Sequence, residues 1–565
     1  MLKQVLKQFF QKNKLFILTL FGTISWSLTM VKSGWFYSSL GINGSGLGFW
    51  GANGHDGIWH IALAESLSQG SFSIPIFAGS IIQNYHIGFD LILAILHKIT
   101  FIPIINLYFQ ILPVIFSILI GLLTYKFTDL FINSKKSAFW ATFFVYFGGS
   151  FGWILGKGES AFWAQQAVSS LINPPFALSL IFLLFGLILI FSLEEKFKIW
   201  NFVLSILFFG SLIEIKAYAG VLALGGLLVS GLYSFILYKK SLLLKIFMGS
   251  LILSLIVYLP FNSHSVSLFV FQPFWFLETL MGLSDRLDWP RFYSAMINYK
   301  LAHNYFKGTL AYLVAFAIFW LGNMGTRILK EFTLLTWLKN IKRLSWTQVF
   351  IGSFIVAGGV IPMLFLQKGS PWNTIQFFYY SLFFSSILAG TVVSQIKSKL
   401  LISLIVLATI PTTLITLKDV YIPNRPPAMV SESELSALNF LSKQPQGIVL
   451  TKPFDSFLAK MAENNPPRPL YLYTSTAYVS AFSKQPTFLE DEINLDITGY
   501  DWQDRRSQIA SWYQELDTGK SRQFLVKNDI KYIYWIKASK SPLDLGKLSL
   551  ANIFENDLVI IYRVE

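Results

Sequence analysis

The run of side chains with the most chemical capacity is Gly54-His55-Asp56-Gly57-Ile58-Trp59-His60. If Asp56 opens a helix, His60 lies one turn on, on the same face. A carboxylate and an imidazole so placed can share a proton or hold a divalent cation. The same letters also suit an N-capping Asp followed by an interfacial His and Trp. Asn84-Tyr85-His86-Ile87-Gly88-Phe89-Asp90 comes next. A carboxylate at the bilayer centre costs roughly 2.5–3.5 kcal/mol, so Asp90 should face protein or water, as a site residue, a cap or a partner of Lys98.

Further candidates are spread along the chain. Glu159 is a solvated residue or a site acid. Glu214 and Lys216 are polar groups at membrane depth, either functional or a mutual ion pair. Arg286 and Arg291 can grip a phosphate with paired N–H donors, or belong to a charged interfacial helix. In Gly369-Ser370-Pro371-Trp372-Asn373-Thr374-Ile375-Gln376, Trp372 suits an interface anchor, and Asn373 and Gln376 suit sugar hydroxyls. Several chemistries lack their letters. The chain has 0 Cys, so a thiolate nucleophile, a thiolate metal site and disulfides are excluded. Gly156-Lys157 lacks the first glycine of a P-loop, and neither a dinucleotide fingerprint nor HExxH occurs.

The elements that must position these residues are membrane helices. Of 565 residues, 54% are hydrophobic and only 13% charged, too few charges to clothe a soluble fold of this size. Apolar runs long enough to span fall near 15–31, 104–125, 138–155, 174–193, 199–215, 217–237, 243–260, 309–326, 347–366, 376–396 and 400–416. These predict about eleven transmembrane helices. Basic clusters occupy every second gap: the N-terminal Lys3, Lys7, Lys12 and Lys14, then Lys126/Lys135/Lys136, Lys196/Lys198, Lys239/Lys240/Lys245, Arg327/Lys330/Lys339/Lys342/Arg343 and Lys397/Lys399. They hold 19 Lys and Arg; the opposite segments, longer in sum, hold 9. This asymmetry places the N-terminus in the cytoplasm and the C-terminal end outside. Residues 86–103 are apolar enough to span, but doing so would invert every later loop, so an outer interfacial helix is expected there.

The net charge of +15 does not mark a nucleic-acid binder. Residues 1–416 hold 28 basic and 12 acidic side chains, whereas 417–565 hold 17 and 18. The excess lies in the membrane part. The expected organisation is a multi-span module over 1–416, with long outer loops at 33–103 and 261–308, and a soluble extracytoplasmic α/β domain over 417–565. The Pro-rich stretch Pro423 to Pro427 links them. In the last part, 431–444, 500–516 and 520–527 read as helices, with Ser431 or Ser433 as a cap. Residues 447–451, 468–473, 530–536 and 557–564 read as strands, the last hairpinned with 548–554.

This layout resembles the integral-membrane glycosyltransferases of the GT-C fold, which use polyprenyl-phosphate-linked sugar donors. In that class a first helix is followed by a long outer loop with an essential acid near its start, then an interfacial helix, a string of spans and often an outer domain. Here Asp56, with His60 after it, takes the acidic position. Asn84-Tyr85-His86 leading into 87–97 matches the interfacial helix, and Asn173-Pro174-Pro175 precedes a span. The stretches 524–534 and 559–564 look like the outer domains of these proteins. Two departures stand out: Asp56 is flanked by His55 and Gly57 rather than a second acid, and the usual His-Pro-Pro is Tyr85-His86-Ile87.

The resemblance implies an all-α polytopic membrane protein with an α/β appendage; the compact loops and the lack of organelle signals point to a plasma (inner) membrane. Such a protein would transfer a hexosyl or pentosyl unit to a glycan, lipid or protein acceptor outside the cell. Asp56 and His60 would be catalytic, with Asp56 as general base or as ligand of Mg or Mn. His55, His86, Asp90, Glu159, Lys216, Arg286, Arg291, Trp372, Asn373 and Gln376 would bind substrate. The partners are the lipid bilayer, the donor and the acceptor, and no nucleic acid. A transporter or lipid flippase would instead carry mid-membrane charges and broken helices in matching halves. A non-catalytic envelope scaffold would tolerate loss of Asp56.

Overall fold

The structure is a computed structural model that describes residues 13–38, 44–262, 269–463, 465–474, 476–537, 548 and 550–565. Lys3, Lys7 and Lys12 lie outside the described residues. The chain forms two compact units: residues 1–29, 113–260 and 266–422 make a helical bundle, and 30–112, 261–265 and 423–565 make an α/β unit.

Among the described residues nine helices are long and apolar enough to cross a membrane: Ile104–Ile132, Lys135–Leu155, Pro174–Glu195, Ala217–Tyr238, Leu242–Asn262, Tyr305–Lys339, Trp346–Leu364, Pro371–Gln395 and Lys399–Tyr421. Two more apolar helices, Lys14–Ser27 and Ile199–Ile215, are shorter. Together they account for every apolar run read from the sequence. The chain is a multi-pass membrane protein. Local chemistry starts these helices where expected. Asn173 caps Pro174–Glu195 by accepting from the Phe176 N–H at 3.1 Å, with prolines in the first turn. Ser345 and Gln348 close a reciprocal capping box on Trp346–Leu364.

The bundle packs around the helix Gln376–Gln395, nearly all of which is buried. It approaches the Lys135–Phe147 helix so closely that a Cβ on Gly390 would lie 2.3 Å from the Ala141 backbone nitrogen. Only glycine permits that crossing. The described residues 269–304 are more ordered than a loop. They hold a strand, Phe269–Phe271, paired with Phe365–Gln367, and the helices Trp275–Gly282 and Pro290–Leu301. These helices bury Phe276, Leu280 and Met296 against Trp163, Phe319 and Phe378. Glu278 is tied to Lys300 at 2.8 Å.

One part of the basic-cluster reading is corrected. Arg327 and Lys330 do not belong to a loop; they lie within the 35-residue candidate span and are 1% and 0% exposed. Arg327 donates to the carbonyls of Asn323 and Met324 and to Gln166 Oε1. Lys330 pairs with Glu331 and sits 4.5 Å over the Trp320 ring. These partners replace the water that a cation loses on burial.

In the α/β unit, residues 30–112 fold with the C-terminal part instead of forming a loop of the membrane module. The strands Trp35–Tyr37, Gly46–Phe49, Ala428–Ser431 and Arg468–Pro469 make one sheet, in that order. Gly46 faces Ser431, and a Cβ on it would lie 2.0 Å from the Val430 carbonyl oxygen, so this pairing needs a glycine. A second sheet has the order Ile448–Leu450, Ile530–Ile536, Val559–Val564, Leu550–Glu555, and its last two strands form the expected hairpin. The Glu432–Leu441 helix begins on Ser431 with a capping box to Glu434. Residues 86–103 contain the helix Gly88–Thr100. Its 13 residues are about 20 Å long, short of a ~30 Å hydrocarbon core. One face buries Phe89, Asp90, Leu93 and Ala94, while Leu91, Ile95 and Ile99 are exposed.

Candidate functional site

In the α/β unit the chain turns through Gly51–Gly54 and enters the helix Asp56–Ser68. Of its 13 residues only Asp56 and Ser66 are not buried. Asp56 is the first helical residue, and His55 holds the N-cap position without a side-chain cap. Asp56 thus does not cap the helix. Its carboxylate lies at the positive end of the helix dipole and meets His55 Nδ1 at 2.7 Å, with the Asp56 side chain 53% exposed. Gly57 leaves room for Phe109, whose ring would lie 2.7 Å from a Cβ there.

His60 is one turn on, as expected, but its imidazole is committed elsewhere. Its Nδ1 meets Asp90 Oδ1 at 2.7 Å, with both side chains buried. The ring stacks on Tyr108 at 5.8 Å, with the edge of Phe89 5.7 Å away. A proton shared between His60 and Asp56 is therefore not the arrangement found, and Asp90 pairs with His60 rather than Lys98. The pair joins the Asp56–Ser68 and Gly88–Thr100 helices. His86 stacks on Tyr85 at 4.6 Å, and Tyr85 packs edge-on to Trp59.

Burial pulls the His55 imidazole down, but the charge and hydrogen bond of Asp56, with the charge of Asp491, outweigh burial and the opposing Arg468. The net result is a pKa above the ordinary value. Asp491 begins the Glu492–Thr498 helix with φ +48°, its carboxylate accepting from the Asn494 N–H at 3.2 Å. The Arg468 guanidinium lies 3.6 Å over the Tyr473 ring.

The bundle unit holds the other candidates. The Glu159 carboxylate accepts from the Gln166 N–H at 3.1 Å and from Ser169 Oγ. Burial raises its pKa to about 7, with the two hydrogen bonds opposing. Glu159 is therefore not the solvated acid of the simpler reading. Arg286 is seated on Trp163, 4.2 Å from the ring, and pairs with the exposed Asp285 at 2.9 Å. Burial lowers its pKa, and Asp285 and Tyr379 oppose the shift. Arg291 is exposed on the first turn of Pro290–Leu301. Lys216 is 4% exposed, in the extended break between Ile199–Ile215 and Ala217–Tyr238. Trp372 is exposed and Asn373 half-buried in the turn Pro371–Ile375, and half-buried Gln376 starts the next helix.

No family model and no curated protein matches the sequence. Among solved structures, the Archaeoglobus fulgidus oligosaccharyltransferase tethered to an acceptor peptide superposes with a TM-score of 0.51 at 10% identity, over 94% of this chain and 70% of that one. Its apo form gives the same TM-score and identity, over 93% and 70%. The chain has the GT-C fold.

The resemblance implies a divalent ion, which this GT-C chain would have to hold with carboxylates and imidazoles. Among the described residues no group of three His, Asp or Glu side chains is placed to hold a metal. Asp56 brings His55, already bonded to it, which falls short of the several oxygen ligands Mg or Mn prefers. Among the described residues, the side chains around Asp56 do not fit the ion.

Several residues around the GT-C candidates were not singled out in the sequence. Gln166 and Ser169 at Glu159, and Trp163 at Arg286, are ordinary letters with no motif around them. Asp491 stood in a readable signal, the acidic run Glu490-Asp491-Glu492. Its partner, His55, lies over four hundred positions away in the sequence.

Proposed function

We propose that the protein is a membrane glycosyltransferase that moves a sugar from a polyprenyl-phosphate donor to an extracytoplasmic acceptor, with Asp56 as the reacting carboxylate. The supporting observation is the setting of that group. Asp56 is the exposed acid at the head of a helix otherwise almost wholly buried, and an imidazole fixes it. Such a carboxylate is reachable by substrate and held in orientation.

The acceptor hydroxyl attacks the anomeric carbon and its proton passes to Asp56. The bond from that carbon to the phosphate oxygen breaks, and polyprenyl phosphate leaves with the electron pair. The carboxylate also stabilises the oxocarbenium-like transition state. His55 orients Asp56, and His60 and Asp90 are positioning residues that fix the helix bearing it. Within the bundle unit, the aromatic seat of Arg286 leaves a poorly solvated cation suited to an anion. The lysine and arginine asymmetry supports a cytoplasmic N-terminus.

The test is transfer by the purified protein from a panel of polyprenyl-phosphate sugars, with Asp56→Asn beside wild type and each with and without a chelator. Donor consumption by wild type but not by folded Asp56→Asn is expected. Equal consumption by both contradicts the assignment, and the chelator reads metal dependence separately.

A further inference from the structure

The α/β unit contains a cavity of about 630 Å³ between its two sheets' loops, within the size range of small-molecule sites. Three side chains bring buried polar atoms to its walls: Thr476 Oγ1 has no hydrogen-bond partner among the described residues, and Glu434 and Tyr534 share Tyr478 as a side-chain partner. Glu434 is 1%, Thr476 7% and Tyr534 1% exposed. A buried polar atom left without a partner costs roughly 1–3 kcal/mol. An apolar ligand would leave Thr476 unpaired and give Glu434 and Tyr534 no partner beyond Tyr478.

The charges narrow the class further. Asp455 and Glu492, also in the wall, are paired with Lys452 and Arg506. Glu434 and Glu490 are both raised by burial to a pKa of about 7, and Glu490 is occupied by the Val479 and Ser480 N–H groups, which leaves Glu434 for a ligand. Anions are disfavoured by these acids. A neutral ligand with hydroxyls that both donate and accept fits a carboxyl beside two hydroxyls. Tyr471 and Tyr478 add aromatic surface for the apolar face of a ring.

We infer that this cavity binds a neutral saccharide through Glu434, Thr476 and Tyr534. It is tied to the candidate site through Asp491, which lines the cavity and whose charge acts on His55. The saccharide is then the acceptor, or part of it; only this last assignment rests on the glycosyltransferase reading.

The experiment measures binding of neutral di- to tetrasaccharides of hexoses and N-acetylhexosamines to the full chain in lipid nanodiscs, without glycoside detergent. Wild type, Tyr534→Phe and Thr476→Val are compared, with thermal midpoints recorded for each. At least one saccharide should bind wild type, and about tenfold more weakly each of the two hydroxyl-deletion variants, the loss of one hydrogen bond to a buried group. No binding by any member of the panel, or equal binding by wild type and both hydroxyl-deletion variants, overturns the inference. Preference for a lysine-bearing peptide over every saccharide also overturns it. Because no turnover is read, failure of the Asp56 assignment leaves this result intact and is seen separately.

Discussion

His60 Nδ1 and Asp90 Oδ1 meet at 2.7 Å with both side chains buried, and this contact joins the helix that begins at Asp56 to the amphipathic helix that follows. A carboxylate this deep is tolerable only when its charge and lone pairs are met. The pair therefore fixes the candidate site from behind, while Asp56 remains open to solvent.

Removing one partner leaves the other buried alone. Asp90→Ala should destabilise the protein by about 3–5 kcal/mol, seen as a lowered thermal midpoint. Asp56→Asn, at an exposed position, should change stability by no more than about 0.5 kcal/mol. Equal midpoints for Asp90→Ala and wild type would show that the pair contributes nothing.

His55 carries a pH signature. Its pKa is raised in the folded protein, so the stability it contributes is complete below the ordinary value of 6.5. That contribution fades as pH rises through the higher folded-state value. Thermal midpoints from pH 5.5 to 8.5 should show the gap between wild type and His55→Gln closing with rising pH. A constant gap would contradict the ion pair with Asp56.

Glu159 behaves in the opposite way to a salt-bridged acid. Its pKa rises from 4.5 to about 7 on folding, so the folded state holds the proton more tightly. Stability due to this group falls as pH climbs from 4.5 to about 7, and is flat above. Glu159→Gln keeps the shape and can still accept from the Gln166 N–H. Its midpoint should gain on wild type across that window and hold the gain at pH 8. Parallel profiles would mean that the carboxyl is not buried.

Gly390→Ala should break the close crossing of the Gln376–Gln395 and Lys135–Phe147 helices. The added methyl meets backbone atoms of Trp140 and Ala141, which cannot rotate away as a side chain could. A loss of about 1–3 kcal/mol, read as a lowered midpoint, is expected. Unchanged stability would place the two helices farther apart.

The apolar runs made the helices legible because lipid leaves few alternatives to a helix of that length and composition. Strands 530–536 and 559–564, and the Ser431 cap, were legible from short-range patterning. The partnership of 30–112 with the C-terminal part was not, because Gly46–Phe49 and Ala428–Ser431 pair over a separation that no local pattern records. Arg327 and Lys330 misled for a related reason. A cation reads as a loop residue unless its buried partners, here the carbonyls of Asn323 and Met324 and the Glu331 carboxylate, are known. At the site, the types at 55, 56 and 60 were readable, but His60 finding Asp90 depended on how two helices meet.

The most direct test is the turnover of Asp56→Asn against wild type with a polyprenyl-phosphate sugar that wild type consumes. Loss of a general base predicts a fall in transfer of roughly 10²–10⁴-fold at an unchanged thermal midpoint. Transfer equal to wild type would contradict the account, leaving the Asp56–His55 pair a structural feature of the helix start.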